Sequence, residues 1–131
     1  MTTNVCPCNS DKLFKSCCEP LLLRKMLAKT PAQLMRSRYS AYALGGYGEY
    51  LLGTWLPCAA AGLSSASLSV RSIDWVGLNV VSKSQQGESG FVEFKAVYRD
   101  EFGESAVHHE KSVFRRIKGR WFYVGEKAGK P

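Results

Sequence analysis

The sequence predicts an α+β fold: helices packed on one face of a curved, four-stranded antiparallel sheet, with a small cysteine knuckle ahead of them. Three observations carry that expectation. Four of the five cysteines fall between Cys6 and Cys18. Helical spacing with capping residues occupies the stretch from Thr30 to Pro57. From Ile73 onward, β-branched and aromatic runs are broken by glycine-containing turns, and helices followed by such a meander segregate into two layers. A chain of 131 residues supports one domain with a real core and a small appendage. The expected division is a knuckle over 1–20, a connector over 21–29 and an α+β domain over 30–131.

The knuckle reads as a metal site. A C-x-C pair meets a second cysteine pair after eight intervening residues, which is enough chain to wrap one ion tetrahedrally with Zn–S distances of about 2.3 Å. The competing reading, disulfides, suits it less: Cys17 and Cys18 are adjacent, so a bridge between them is strained, and Thr2 to Cys8 has no apolar core of a secretory signal. Asn9 tolerates a left-handed turn and Ser10 can cap a helical turn. Lys12 and Lys15 lie beside what would be an anionic centre.

The string CPCNSDKLFKSCC resembles the SEC-C zinc-binding motif, C-P-C-G-S-G followed by basic and aromatic residues and then C-C or C-H. The spacing matches throughout, with Asn9 and Asp11 standing where the motif has glycines. The resemblance implies Cys6, Cys8, Cys17 and Cys18 as ligands of one structural Zn²⁺. Four thiolates close the coordination sphere, whereas hydrolytic zinc keeps a position for water. The surface on offer is then Lys12, Leu13, Phe14 and Lys15, displayed between the cysteine pairs. In the preprotein translocase motor SecA a SEC-C motif is similar to a docking module for the chaperone SecB and the ribosome, which implies that kind of work here.

In the connector, Leu21, Leu22, Leu23, Met26 and Leu27 can pack the knuckle onto the body. Thr30-Pro31-Ala32-Gln33 then opens a helix, with a capping Thr, Pro at the first helical position and Gln at the third. Leu34, Met35, Tyr39 and Tyr42 share one face, and Gly45-Gly46 ends the run. Arg38 falls on that face, either snorkelling out to a carboxylate at the core edge or holding an anion in a pocket; Arg36 points to solvent. A second helix sets Tyr47, Tyr50, Leu51, Thr54 and Trp55 on one side and stops at Pro57. Cys58 is expected as a small buried apolar residue. A loop with a short helix around Ser65 to Arg71 leads to strands at Ile73 to Ser82, Gly90 to Arg99, Glu104 to Ile117 and Arg120 to Val124. Their bends fall at Gln86-Gly87, Phe102-Gly103 and Lys118-Gly119.

RSRYSAY, GTW, GFVEFKAVYRD, EKSVFRR and GRWFYV together resemble the bacterial YchJ family. That resemblance implies a SEC-C knuckle ahead of a nuclear transport factor 2-like (cystatin-like) cone. Long members of the family end in a second SEC-C motif, which these 131 residues do not contain. Cones of this type can enclose a pocket and host isomerases or dehydratases. Arg38, Tyr39, Trp55, Asp74, Trp75, His109 and Glu110 are the candidates for a lining with an acid/base group, though they form no recognised catalytic signature. His108 and His109 are strand neighbours and point to opposite faces, so the two do not grip one ion and one of them faces the helices.

Composition bounds the partners. Apolar residues at 45% and charged residues at 22% read as an ordinary globular protein. No apolar run approaches the about eighteen residues of a membrane span, and the expected compartment is the cytoplasm. The formal charge of +7 counts the cysteines as neutral; a four-thiolate zinc centre lowers the sum by about two and leaves it basic. Anionic partners, whether an acidic protein surface, the ribosome or nucleic acid, therefore fit. Arg24, Lys25, Lys29, Arg115, Arg116, Lys118 and Arg120 spread that charge without an RNA-recognition or helix-turn-helix signature. The reading is a non-catalytic adaptor that docks a macromolecule through the knuckle, with small-ligand binding or lyase/isomerase chemistry in the cone, or nucleic-acid binding through the basic surface, as the alternatives.

Overall fold

A computed structural model describes residues 5–71 and 73–127. In chain order it comprises a 3-10 turn Phe14–Ser16, helix α1 Glu19–Leu22, helix α2 Pro31–Leu44, helix α3 Gly48–Gly53, a second 3-10 turn Pro57–Ala59 and helix α4 Ser65–Ser69. Strands β1 Asp74–Gln86, β2 Ser89–Arg99, β3 Ser105–Ile117 and β4 Arg120–Glu126 follow. They pair antiparallel in the order β1-β2-β3-β4, the expected meander. No helix among the described residues is long and apolar enough to cross a membrane.

The sheet is set by local chemistry. Along β2, Gly90, Val92, Phe94 and Ala96 are buried while Phe91 and Lys95 between them are exposed, the period-two signature of a sheet covered on one face. Lys118 and Gly119 have φ of 52° and 81°, the left-handed pair that a tight hairpin needs. Register slips between Trp75 and Gly77, Val80 and Ser82, and Val113 and Phe114 are bulges that bend the strands around the helices. β1 runs past Ser82 to Gln86 because its polar end keeps its ladder with Gly90 and Phe91, although nothing buries it.

Helix α2 begins as its sequence demands: the Thr30 hydroxyl accepts from the Gln33 N–H at 3.1 Å, and Gln33 Oε1 accepts from the Lys29 N–H at 2.7 Å. Its burial is broader than one apolar stripe. Ser37, Arg38 and Ser40 are buried together with Leu34, Met35, Tyr39 and Ala41, because the helix lies between the sheet on one side and the knuckle and α3 on the other. Ser37 Oγ donates to the Leu34 carbonyl and bonds Tyr50 Oη at 2.6 Å, so no hydroxyl is stranded there.

Helix α3 is shorter than its apolar spacing suggests. The Tyr123 N–H donates to the Thr54 carbonyl and the Leu56 N–H to the Tyr123 carbonyl, both at 2.8 Å. That stitches residues 54–56 to β4 as a parallel bridge and pulls the chain out of helix. Cys58 then lies exposed on the 3-10 turn instead of buried, since the chain runs over the surface after that bridge. In the connector, Leu21 and Leu22 are buried, whereas Leu23, Met26 and Leu27 face solvent because α1 ends after a single turn.

Gly90 shows how tightly the layers meet: a Cβ there would run into the Pro31 ring and the edge of Trp121. Gly90→Ala should therefore cost about 1–3 kcal/mol by overpacking. Urea unfolding followed by tryptophan fluorescence measures it, and an unchanged midpoint would contradict the packing described.

Candidate functional site

The knuckle is built by two left-handed residues. Asn9 and Asp11 have φ of 63° and 68°, the conformation that glycine adopts freely and that Asn and Asp tolerate best among the others. The Cys6 N–H donates to the Lys12 carbonyl at 2.8 Å, Val5 bridges Leu13, and the 3-10 turn Phe14–Ser16 then brings Cys17 and Cys18 back to Cys6 and Cys8. All four Sγ atoms lie within 4.8 Å of one another. Cys8 and Cys17 are 3.6 Å apart and Cys17 and Cys18 3.9 Å, close to the about 3.8 Å edge of a tetrahedron with 2.3 Å arms. Cys6, Cys8 and Cys18 are buried and Cys17 is partly so. The residues therefore fit a tetrahedral, thiolate-bound metal ion.

The sulfur contacts also drive the thiols apart in acidity. Hydrogen bonds from Cys18 and Cys6 hold the Cys8 thiol far below its ordinary value, and the same sulfur contacts push Cys18 far above it. Four thiolates in contact would repel one another, so a full set of them calls for a cation at its centre.

The knuckle is fastened to the body by side chains. Asn9 Oδ1 accepts from the Leu78 N–H of β1 at 2.8 Å, beside the first β1 bulge. Arg36, expected in solvent, donates from Nη1 to the Cys8 carbonyl at 2.7 Å. Ser40 Oγ lies 3.7 Å from Cys6 Sγ. Among the displayed residues Lys12, Leu13 and Lys15 are exposed, whereas Phe14 is half-buried against the core.

On its far side α2 faces a cavity of about 320 Å³ closed by α4 and the inner face of the sheet. Of the residues the sequence singled out, Arg38, Tyr39, Trp55, Trp75 and Glu110 line it, together with Tyr42, Phe94, His108 and Tyr123. Asp74 does not: it is exposed and pairs with Arg71 at 2.9 Å, because it sits at the very start of β1, outside the cone. His109 does not either. Strand alternation turns it outward, where Nε2 meets Glu93 Oε2 at 2.6 Å, and puts His108 on the cavity side. Tyr123 was legible from the alternation of β4 with buried Trp121; Tyr42 lay on the named face of α2.

Two polar groups dominate this cavity. Glu110 accepts from Ser112 and Tyr123 at 2.7 Å each and meets His108 Nε2 at 2.9 Å. Burial raises the Glu110 carboxyl, but the hydrogen bonds from Tyr123, His108 and Ser112 together outweigh it and hold it below its ordinary value. Tyr123 is pushed up in turn, by burial and by that carboxylate. Arg38 is 3% exposed, donates from Nη1 to the Leu51 carbonyl and to Thr54 Oγ1 at 2.7 Å each, and lies 4.7 Å from the Trp55 ring centre and 4.6 Å from that of Tyr123. It neither reaches solvent nor makes an ion pair among the described residues. Chemically, the His108–Glu110 pair can hold or move a proton at the cavity wall, and Arg38 can meet negative charge.

A four-cysteine knuckle docked on a helix-backed antiparallel cone defines the class: a SEC-C motif joined to a nuclear transport factor 2-like domain. The family model described as "YchJ, middle NTF2-like domain" matches residues 30–126, and that of the SEC-C motif matches residues 3–20. The chain belongs to the YchJ family. It is 41% identical over 124 residues to a UPF0225 protein of Sodalis glossinidius, covering 91% of this chain and 80% of that relative. A UPF0225 protein of Geobacter sulfurreducens is 37% identical over 134 residues, covering 98% and 82%. Among solved structures, a SEC-C motif containing protein from Rhodopseudomonas palustris superposes with a TM-score of 0.85 at 37% identity, covering 95% of this chain and 98% of that one. Another from Psychrobacter arcticus gives 0.81 at 28%, covering 100% and 85%.

Because the folded-state pKa of Glu110 lies below its ordinary 4.5, its contribution to stability is present above that value and is lost as pH falls through the folded one. Glu110→Gln should cost about 1–3 kcal/mol at neutral pH, and the gap to wild type should close in acid. Thermal unfolding of both proteins from pH 7 to pH 3 measures this; a gap that persists unchanged at pH 3 would sink the assignment.

Proposed function

We propose that the four cysteines hold one structural Zn²⁺ and that the knuckle so formed docks a protein partner. Thiolate ligands in a tetrahedral set select zinc or iron over hard cations, and zinc adds no redox liability to a site whose four positions the protein fills. When bound, the ion offsets half of the charge of the four thiolates and locks the turn. The reading rests on one observation: Leu13 is 40% exposed between exposed Lys12 and Lys15, on a turn anchored at both ends by cysteines. A fixed apolar residue flanked by two ammonium groups suits an acidic surface carrying an apolar notch. Such a thiolate site fits a reducing compartment, and the cytoplasm is the compartment this reading expects.

A second reading has its own observation. The cavity of about 320 Å³ combines apolar walls with converging polar groups, at the lower end of the about 300–1,000 Å³ of small-molecule sites. It supports binding of a small ligand in the cone.

Native mass spectrometry of protein purified under reducing conditions should show one zinc per chain. Cys18→Ala should abolish metal binding and cooperative unfolding; zinc-free wild-type protein that unfolds at the same midpoint would refute the structural role. The double variant Lys12→Glu, Lys15→Glu should keep its zinc and its circular dichroism yet lose the proteins cross-linked to wild type in cells. An identical cross-linked set would argue against docking through this turn.

A further inference from the structure

The guanidinium of Arg38 is a buried cation whose neighbours satisfy it only in part. Its two hydrogen bonds among the described residues both come from Nη1, and both acceptors are neutral, the Leu51 carbonyl and Thr54 Oγ1. Trp55 and Tyr123 cover its surroundings at 4.7 and 4.6 Å, contributing cation–π attraction. The one carboxylate of the cavity, Glu110, already meets His108, Ser112 and Tyr123 and makes no ion pair with Arg38. A buried charge that makes no ion pair is costly, and this one lines the cavity.

We propose that the cone binds a small monocarboxylate with an apolar body, its carboxylate meeting the Nε and Nη2 edge of Arg38 and its body lying among Met35, Leu68, Trp75 and Phe94. This rests on the small-ligand reading of the cavity and names the chemical class of the ligand. Three features select that class. The guanidinium presents parallel N–H groups in one plane, which match the two oxygens of a carboxylate. Nη1 makes both of the guanidinium's hydrogen bonds among the described residues, which leaves the Nε and Nη2 groups for a ligand. The remaining walls are largely apolar, so a hydrophilic anion such as inorganic phosphate gains little from them. The engaged Glu110 oxygens leave Arg38 as the cavity's available counter-charge. A purely structural Arg38, stapling the end of α3, gives no such selectivity.

The test uses the zinc-loaded full chain and two probes of one shape, naphthalene-2-carboxylate and its neutral isostere naphthalene-2-carboxamide, titrated by calorimetry. The expected result is that the carboxylate binds about 10- to 100-fold more tightly and that Arg38→Met erases the difference. Should that variant not fold, the wild-type ratio still decides, and Arg38→Lys, which keeps charge without the planar edge, should narrow it. Equal affinity of the two probes overturns the monocarboxylate proposal while leaving a ligand-binding cone standing. No saturable binding of either overturns both. Leu68→Trp, which fills the cavity, should abolish binding; carboxylate binding that survives it places the ion elsewhere on a basic surface and overturns the proposal.

Discussion

Helix α2 is buried on two opposite sides, and most of the molecule is arranged to satisfy that constraint. One side meets the sheet and the cone, the other the knuckle and α3. A helix so placed cannot be simply amphipathic, so its middle alternates partners residue by residue. Arg36 and Ser40 reach the knuckle, Ser37 reaches Tyr50, and Arg38, Tyr39 and Tyr42 enter the cone. Small hydroxyls work in the tight positions because each finds an acceptor within reach. The cysteine cluster and the cavity thus flank one helix of fourteen residues.

Much of this was legible in the sequence, for reasons that differ by element. The Thr30 cap, the Lys118-Gly119 bend and the cysteine spacing are local chemistry, and each appears where its residues put it. The four strands followed from alternation and turn residues. What the sequence hid was tertiary. Arg36 looked solvated because its acceptor is the Cys8 carbonyl, far away in the chain. Trp55 looked helical, yet its backbone joins β4. The inward-facing histidine depended on strand parity, which fixes that His108 and His109 diverge but not which of them turns in until Phe114 and Ser112 are known to be buried. Asp74 looked like an inner strand residue and is a pair for Arg71 at the strand's start.

Asn9 and Asp11 illustrate substitution without loss of geometry. Both occupy left-handed positions where the SEC-C pattern carries glycine. A side chain is tolerated at Asn9 because its carbonyl oxygen has somewhere to go: the Leu78 N–H of β1. Backbone strain of a modest kind is offset by a bond between parts of the chain that glycine could not make.

That same bond has a bearing on solubility. β1 and β4 are the two rims of the sheet, and a bare rim invites another chain to add a strand. The Thr54–Leu56 stitch covers β4 at Tyr123, and Asn9 occupies the outward N–H of β1 at Leu78. Each rim is therefore occupied at one position by a segment from outside the sheet. The guard on β1 belongs to the cysteine turn, so loss of the knuckle's order would uncover a template for edge-to-edge association as well as scatter the four cysteines.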